Sequence, residues 1–438
     1  MENRLKQQRG WYMYDWAVSA FTTSVITVFI GPYLTTIADN AAIDGYLSIL
    51  GMEIFAGSFF SYCVSLSVIL QVVFLPWLGA LADYSNRKKQ LLGIFAYIGA
   101  FAAMGLYFLE GTNYLLGGLL LIISNLSFGA SMIFYNAFLN EIAEPDERDR
   151  VSSNGFAVGY VGGGLLLAIN LVLVMQAEKF GLTIGMAVRI SMASAGLWWA
   201  VFTIIPMLRL KSFRPLRSIP SGENTFIFGF KQIKSTIKDS LKYPKTLLFI
   251  VAYIFYNDGV QAVIVVASQF GQEALNLDIG TLTTVILMVQ FVAFGGAKFF
   301  DYLASKINTK NALLISIVIW IIAVSYAYLF LNSEAGFYGL GAVIGLVLGG
   351  TQALSRSLYS HLIPSGKESE YFSLYEISER GTSWIGPLLF GISLQFTGSY
   401  RFAILSLGIL FVVGFILLMK INFRQAIIEV GNTLPKNI

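Results

Sequence analysis

The chain consists largely of long apolar stretches separated by short polar turns. Each stretch holds about 20 residues, the length of helix that crosses a hydrocarbon core of ~30 Å. A single segment in lipid must satisfy its own backbone hydrogen bonds, which only a helix does. We therefore predict twelve spans: Trp11–Ala38, Gly57–Ala82, Gln90–Leu109, Asn113–Ile142, Val151–Gln176, Ile184–Leu208, Lys245–Gly271, Ile279–Leu303, Asn311–Leu331, Phe337–Leu362, Tyr371–Phe396 and Tyr400–Lys420.

Composition agrees with a membrane protein. Apolar residues make up 56% of the chain and charged residues 12%, whereas an ordinary soluble domain carries about 25% charge. The net charge of +4 does not indicate nucleic-acid binding, because the basic residues lie in short loops between spans. The single cysteine, Cys63, lies in an apolar run and offers no disulfide framework. No phosphate-binding loop, zinc-ligand spacing or nucleophile elbow is present, so we expect neither an enzyme nor a bound cofactor or metal.

The basic residues predict the orientation. Most of the 29 lysine and arginine residues lie at the termini or near the turns that follow even-numbered spans, whereas Lys179 and Arg401 lie on the opposite side. Cytoplasmic loops carry such an excess, so we predict that both termini face the cytoplasm. The first apolar run is too long for the core of a signal peptide, which predicts an uncleaved first span. The compact chain favours a bacterial plasma membrane.

The second half of the chain repeats features of the first. Tyr14-Asp15 in span 1 is matched by Tyr256-Asn257-Asp258 in span 7, and residues 142–152 are paralleled by residues 363–373. A weaker match pairs the turn at 81–83 with residues 303–305. We predict two similar six-helix bundles, residues 1–208 and 245–438, with a solute bound between them near the midplane.

Residues 209–244 form the predicted linker and are strongly basic. Within them Phe230, Ile233, Ile237 and Leu241 recur at helical spacing with lysines beside them. This pattern predicts an amphipathic helix on an anionic inner leaflet. A simple tether between the halves is the preferred interpretation, and a regulatory binding site is the alternative.

The turn after span 2 combines a carboxylate with a basic cluster. It reads Gly79-Ala-Leu-Ala-Asp83-Tyr-Ser-Asn-Arg87-Lys88. Asp83 ends the span at the interface, where a carboxylate can cap the N-terminus of a neighbouring helix. Arg87 and Lys88 can pair with acidic residues on adjacent loops. We predict that Gly79, Asp83, Arg87 and Lys88 form a gate; in the alternative, the basic residues only anchor the topology.

The spacing of this turn resembles the loop 2–3 signature of the major facilitator superfamily. Longer runs resemble its "unknown major facilitator" branch, which includes the fungal vacuolar amino-acid effluxer of autophagy: residues 11–17, 255–261, 349–356 and Gly386-Pro387. The resemblance implies a twelve-helix transporter fold, export of small solutes, and a cluster after span 2 that holds the cytoplasmic side closed. Two positions depart from the branch, Val18 in place of asparagine and Ser305 in place of aspartate. The second weakens the expectation of a symmetric gate.

Depth along the spans indicates candidate binding residues. At ~1.5 Å per residue, Asp258 lies about 20 Å into span 7 and Arg380 roughly 14 Å into span 11. Ionisable groups at such depth usually face a cavity or a partner. We expect Arg380 to bind a solute carboxylate, and Asp258 or Glu379 to bind an ammonium group. Amide side chains at similar depth are further candidates: Gln71, Asn125, Gln290 and Gln352.

A structural role is the alternative for these groups. Buried amides bridge transmembrane helices, and Glu376 with Arg380 is an i, i+4 pair that can neutralise itself. A uniporter or a sodium-linked carrier would carry similar residues.

Proton coupling requires a titratable group, and the candidates are acidic: Asp15, Asp258, Glu376 and Glu379. Asp15 lies ~6 Å from Trp11 if that residue marks the interface, which suits gating or coupling. The single histidine, His361, ends span 10, where we expect an interfacial role.

These patterns predict an all-α secondary transporter that works by alternating access. Its expected cargo is a small polar or zwitterionic solute, and amino-acid efflux is the favoured activity. The expected partners are the solute, a proton and the lipid bilayer, with a monomeric chain and no nucleic acid. The alternatives are a non-transporting receptor or scaffold on the same fold, and a lipid flippase.

Overall fold

The protein is described by a computed structural model that covers residues 2–49, 51–212, 238–380 and 385–438, with the backbone alone at 268, 273, 279 and 380. It is predominantly helical. The helices are α1 (Glu2–Ala20), α2 (Ile30–Ala41), α3 (Phe59–Asp83), α4 (Lys88–Gly105), α5 (Tyr114–Ala137), α6 (Leu139–Ile142), α7 (Arg148–Met175), α8 (Ile184–Arg209), α9 (Pro244–Leu275), α10 (Ile279–Ile307), α11 (Thr309–Leu329), α12 (Glu334–His361), α13 (Glu368–Arg380), α14 (Ile385–Thr397), α15 (Tyr400–Ser406), α16 (Gly408–Met419) and α17 (Phe423–Glu429).

These helices form the predicted twelve-helix membrane protein. Within the described ranges, eleven helical segments are long and apolar enough to cross a membrane. The remaining predicted span, Tyr371–Phe396, corresponds to α13 and α14 on either side of residues 381–384. The predicted amphipathic helix of the linker falls mainly on residues 213–237, outside the described residues.

The first span differs from its prediction. Helical structure runs from Glu2 to Ala41, because a π-helical segment, Phe21–Phe29, joins α1 to α2. Trp11 therefore lies inside this helix rather than at its start. Its ring is fully buried and stacks on Tyr135 at a centroid distance of 4.3 Å.

A small antiparallel hairpin follows this span and was not predicted. Strand β1 (Tyr46–Ile49) pairs with β2 (Met52–Phe55). The turn needs a positive φ at Gly51, which has φ +81°, a conformation that glycine adopts without strain. Strands of four residues are too short to separate from the flanking apolar spans by pattern alone.

Glycines permit the closest helix packing, as the spacing Gly341-x-x-x-Gly345-x-x-x-Gly349 predicts. These glycines lie on α12 and face α10. A Cβ atom at Gly349 would lie 2.2 Å from the carbonyl oxygen of Ala293, and one at Gly345 would lie 3.0 Å from that of Val289. Larger residues would separate the two helices, which agrees with the enrichment of small residues where membrane helices pack.

The chain forms two compact units. The first comprises Met1–Leu75, Arg87–Tyr135 and Val158–Ser212, and the second comprises Pro76–Asn86, Asn136–Ala157 and Phe213–Ile438. The second unit thus contains helix ends from the first half of the sequence as well as the second half. The predicted bundle boundaries, residues 1–208 and 245–438, stay a prediction.

Candidate functional site

Asp83 binds the first turn of a helix from the second half of the sequence. Its Oδ1 accepts a hydrogen bond from the Ser369 N–H at 2.9 Å, and its Oδ2 accepts one from the Glu370 N–H at 2.8 Å. Both N–H groups lie at the start of α13, where they have no partner within the helix and where the helix dipole favours an anion. The predicted helix cap is therefore present, and its role as a gate stays a prediction.

Gly79 lies one turn before Asp83 on α3. A Cβ atom at this position would lie 2.5 Å from the carbonyl oxygen of Ser369 and 2.9 Å from its carbonyl carbon. A side chain would therefore force the two backbones apart. The close approach of α3 to α13 brings the Asp83 carboxylate within hydrogen-bonding distance.

We expect the substitution Gly79→Ala to weaken the contact of Asp83 with α13. The added methyl group meets backbone atoms, which cannot move aside unless α13 moves with them. Hydrogen exchange at the Ser369 and Glu370 amides should accelerate by at least about threefold, because each lost hydrogen bond is worth roughly 0.5–1.5 kcal/mol.

The matched control is Gly339→Ala. Gly339 lies within α12, and an added Cβ atom there would meet nothing within 4 Å. Because alanine is the better helix former, this variant should keep its stability. Equal exchange rates at Ser369 in the two variants would show that the close approach at Gly79 does not hold Asp83 in place.

The basic part of the turn begins the next helix. Arg87 is exposed and directly precedes α4, and Lys88 is the first residue of α4 and is half-buried. Arg87 makes no side-chain cap to this helix. The pairing of Arg87 and Lys88 with neighbouring acids therefore stays a prediction.

The second half of the chain also carries an acid near the corresponding turn. Asp301 lies on α10, one helical turn before Ser305, and like Asp83 it is followed by a tyrosine. It lies near a second acid, Asp149, and near two basic residues, Arg150 in the first turn of α7 and Lys298 on its own helix. The similarity between the halves is thus greater than the alignment at Ser305 indicates.

Arg356 on α12 is buried and binds α7 through hydrogen bonds and ring packing. Its Nε donates a hydrogen bond to Ser152 Oγ at 2.9 Å, and Nη2 donates to the Ser152 carbonyl oxygen at 2.8 Å. Ser152 Oγ in turn donates to the Ala353 carbonyl oxygen at 2.8 Å. The guanidinium carbon lies 4.0 Å from the centre of the Phe156 ring. We call Arg356, Ser152 and Phe156 the arginine clasp; it joins helices from the two halves of the sequence.

A polar chain extends from the clasp to a predicted coupling residue. Asn136 Oδ1 accepts a hydrogen bond from Arg356 Nη1 at 3.4 Å, and Asn136 Nδ2 donates one to Glu376 Oε1 at 2.7 Å. Glu376 is buried. Two other candidates of this unit, Glu379 and Gln352, are half-buried.

His361 ends α12 as predicted, but it does not face an aqueous interface. Its side chain is 2% exposed, and its Nδ1 lies 3.4 Å from Nη1 of Arg148. Arg148 also donates a hydrogen bond to the Ser360 carbonyl oxygen at 2.9 Å. The expected interfacial role is wrong, because the start of α7 covers the end of α12.

Asp258 lies ~21 Å along α9 from Pro244, at 1.5 Å per residue. Its side chain is buried, and its carboxylate makes no hydrogen bond to a described side chain, although the Gly386 backbone lies close to it. Gly386 of α14 approaches closely, since a Cβ atom there would lie 3.2 Å from Oδ2. Asp258 is thus a buried acid without a described counter-charge.

The other ionisable residue predicted to bind the solute is only partly described. Arg380 ends α13, and its side chain lies outside the described residues, so its predicted pairing with a solute or with Glu376 stays a prediction. Gln290 lies on α10 and is half-buried.

The predicted amides of the first unit bind each other's helices. Gln71 Nε2 donates a hydrogen bond to the Asn125 carbonyl oxygen at 3.2 Å, and Asn125 Nδ2 donates one to Ser67 Oγ at 2.7 Å. These bonds join α3 to α5, which is the arrangement that a structural role predicts. A binding role for the two amides stays a prediction.

Asp15 is buried in the first unit and accepts a hydrogen bond from the Tyr135 hydroxyl. The Tyr135 carbonyl oxygen in turn accepts one from Trp11 Nε1 at 2.7 Å. Because Trp11 is buried within a longer helix, it does not by itself mark the interface, and the shallow position expected for Asp15 stays a prediction. Its coupling role also stays a prediction.

A family model described as "Vacuole effluxer Atg22 like" matches residues 3–431. The chain belongs to this family. An uncharacterized MFS-type transporter of Bacillus subtilis (strain 168), YxiO, is 31% identical over 420 residues, which cover 95% of each chain. Autophagy-related protein 22-1 of Penicillium rubens is 26% identical over 537 residues, covering 95% of this chain and 90% of that protein. The predicted family is confirmed.

Solved structures confirm the fold of this Atg22-like transporter. The proton:xylose symporter XylE has a TM-score of 0.71 at 13% identity, covering 96% of both chains. FucP in the outward conformation has a TM-score of 0.70 at 14% identity, covering 95% of this chain and 98% of FucP. Both solved structures are of major facilitator superfamily proteins and show the same fold. Since the 31% identical relative YxiO is an MFS-type transporter, the Atg22-like chain is a multi-pass transporter of that superfamily. This identification also agrees with the prediction that it is not an enzyme.

Sequence reasoning missed Arg356 and Asn136 in this Atg22-like protein. Arg356 occurs in the run Gly349–Arg356, but it was counted with the basic residues near a cytoplasmic turn. A depth estimate alone cannot separate a lysine or arginine that reaches the interface from one that is buried. Arg356 lies more than one and a half helical turns before Leu362, the end of the predicted span, and this distance from the interface was the available sign that it is buried.

Proposed function

We propose that this protein exports amino acids by alternating access. The observation that carries the proposal is the buried Asp258 carboxylate, which lacks a described side-chain partner or counter-charge in the middle of a spanning helix. An ionised group at such depth is costly unless it binds a proton or a cationic group. The α-ammonium group of an amino acid supplies that charge. The description of the family as vacuole effluxers supports a transport activity for this chain.

In this proposal Asp258 binds the ammonium group and Arg380 binds the carboxylate. An arginine can bind a carboxylate through two parallel hydrogen bonds. Gln352 and Gln290 would contact the rest of the solute, since both are half-buried on spanning helices of the second unit. The two amides of the first unit, Gln71 and Asn125, would add contacts only when their hydrogen bonds to the Asn125 carbonyl oxygen and to Ser67 break.

Glu376 would couple transport to a proton. Its ionised carboxylate accepts a hydrogen bond from Asn136, which also contacts Arg356 of the arginine clasp. Protonation removes the negative charge that favours this arrangement and so weakens the clasp. Asp15 and Glu379 are the other acids proposed for coupling.

The cap at Asp83 and the arginine clasp would close the cytoplasmic end. Both join helices from the two halves of the sequence, and alternating access requires such contacts to break in each cycle. Arg87 and Lys88 would complete this gate. With both termini in the cytoplasm, we place the protein in a bacterial plasma membrane as a monomer.

Counterflow into proteoliposomes tests the substrate class. The purified protein should accumulate radiolabelled leucine, and other neutral amino acids should compete. 4-Methylpentanoate, which lacks the ammonium group, should not compete, because Asp258 would then have no cation to bind. Protein-free liposomes are the control. Competition by 4-methylpentanoate equal to that of unlabelled leucine would contradict the proposed role of Asp258.

The same preparation separates the alternatives. A receptor or scaffold predicts no solute flux with any amino acid in the panel. A flippase predicts movement of fluorescent lipids between leaflets without leucine counterflow. Either result would reject amino-acid export.

A further inference from the structure

The segment after the last membrane helix is docked on the protein. The short helix α17 follows α16, and its Phe423 and Ile427 side chains are buried. The Phe423 ring packs against Phe249 of α9 at a centroid distance of 5.8 Å. Residues 430–438 continue from this helix without regular structure, and we call them the strap.

One asparagine fixes the strap to the loop between α12 and α13. Asn432 Nδ2 donates hydrogen bonds to the carbonyl oxygens of His361 at 2.9 Å and Ile363 at 2.7 Å. Its Oδ1 accepts one from Ser365 Oγ at 3.3 Å. Both the donor and the acceptor groups of this side chain are thus used. This loop leads directly into α13, the helix that Asp83 caps.

The far end of the strap reaches a loop from the first half of the sequence. The Lys436 N–H donates a hydrogen bond to Asp146 Oδ1 at 2.7 Å, just before α7. The Asn437 carbonyl oxygen accepts one from the Thr309 N–H at 3.0 Å. Thr309 Oγ1 also donates to Asp149 Oδ2 at 2.5 Å. The strap therefore joins the starts of α7 and α11.

We propose that the strap is a latch that stabilises the closed arrangement of this end of the transporter. Its anchors are the loop at 361–365, Thr309 and the loop at Asp146, which come from different halves of the sequence. The strap can contact all three anchors at once only while α7 stays next to α11 and α12. Opening of this end would separate α7 from those helices and break the contacts at Asp146. The proposal rests on the proposed transport cycle, in which this end opens.

Hydrogen bonds, rather than an ion pair, hold the strap in place. They use backbone groups and an asparagine side chain, and the Lys436 side chain itself is 88% exposed. Its Nζ lies 3.7 Å from Asp146 Oδ2, and an ion pair that is so exposed contributes little. The Lys436 backbone N–H, rather than its ammonium group, should therefore hold the latch.

A cysteine introduced at a buried position can report on the opening of this end. Ser153 on α7 is fully buried next to the arginine clasp, and its hydroxyl has no hydrogen-bond partner in the described part of the chain. Replacing Ser153 with cysteine in a Cys63→Ser background gives a protein with one thiol. Its alkylation rate by a membrane-permeant maleimide, measured in membranes without any solute, then follows opening of this end.

Two variants release the strap at different anchors. Asn432→Ala removes the contacts with 361–365, and Lys436→Pro removes the N–H that binds Asp146, because proline has no amide hydrogen. Each should accelerate alkylation by about threefold to tenfold, as expected for the loss of one or a few hydrogen bonds. Monodisperse elution in detergent must show that each variant is folded.

Matched controls are Lys436→Ala, which keeps the backbone N–H, and Leu434→Ala, which alters an exposed side chain of the strap. Both should alkylate at the parent rate. If Asn432→Ala and Lys436→Pro are also alkylated at the parent rate, the proposed latch is rejected. Because the assay contains no solute, faster alkylation in a protein that fails to carry leucine would support the latch and reject only the proposed substrate.

Discussion

Replacing Asp258 with asparagine should abolish transport without destabilising the protein. The two residues have the same size, but asparagine cannot ionise. The carboxylate makes no hydrogen bond to a described side chain, and an asparagine oxygen can still accept one from the nearby Gly386 backbone, so the substitution removes little described contact. The expected result is a melting temperature that is unchanged or higher, together with a loss of leucine counterflow.

The expected loss of transport is large. If Asp258 binds the ammonium group of the solute, the variant leaves that cation buried and unpaired. Truncating one partner of a buried charge pair costs roughly 2–5 kcal/mol, so transport at limiting solute should fall by at least about 30-fold. A purely structural aspartate predicts the opposite combination, in which stability falls and transport by the folded fraction persists.

The control for Asp258→Asn is Asp44→Asn. Asp44 is exposed and has φ +52°, a left-handed conformation that asparagine also tolerates. Both variants lose one carboxylate, but only the first loses a buried one. Counterflow and thermal unfolding should be measured on the same purified samples. Parent-level counterflow in Asp258→Asn would remove this residue from the transport mechanism.

Replacing Arg356 with alanine should strongly destabilise the protein. The substitution removes two hydrogen bonds to Ser152 and the packing on Phe156, and it leaves the Ser152 carbonyl oxygen without this donor. A hydrogen bond to a charged group is worth about 1.5–3 kcal/mol, so the loss of two such bonds costs about 3–6 kcal/mol. The free energy of unfolding should fall by that amount, and the contact between α7 and α12 should loosen.

Arg356→Lys separates charge from geometry. Lysine keeps the positive charge, but it lacks the planar fork that reaches both Ser152 atoms and lies over the Phe156 ring. We therefore expect it to recover only part of the lost stability. Full recovery by lysine would show that charge alone is needed at this position.

Unfolding in detergent, followed by tryptophan fluorescence, measures these differences. Arg424→Ala is the matched control, because Arg424 is exposed on α17. It should unfold like the parent protein. If Arg356→Ala also unfolds like the parent, the arginine clasp does not hold α7 to α12.

Part of the candidate site was predictable because it depends on local geometry. Gly79 and Asp83 are one turn apart, so their position on one face of α3 follows from the helix period. The depth of Asp258 follows from counting residues along an apolar helix. The identity of the capped helix does not follow, because α13 begins almost 300 residues later in the chain.

Hydrogen-bonded networks between distant segments were less predictable. Arg356, Asn136 and Glu376 lie on three helices, and no spacing in the sequence relates them. His361 was expected at an interface because it ends a span, whereas the start of α7 covers it. The strap was not predicted either, since its polar composition resembles that of any exposed segment.

The membrane fold, the number of spans and the family could all be predicted from the amino-acid sequence. These properties depend on the lengths of apolar runs and on short local motifs, and the cost of exposing a backbone to lipid leaves helices as the only solution for such runs. Tertiary structure alone decided which polar groups meet. Buried hydrogen bonds and charges are stable only where a partner is supplied by another part of the chain, and helix packing selects that partner.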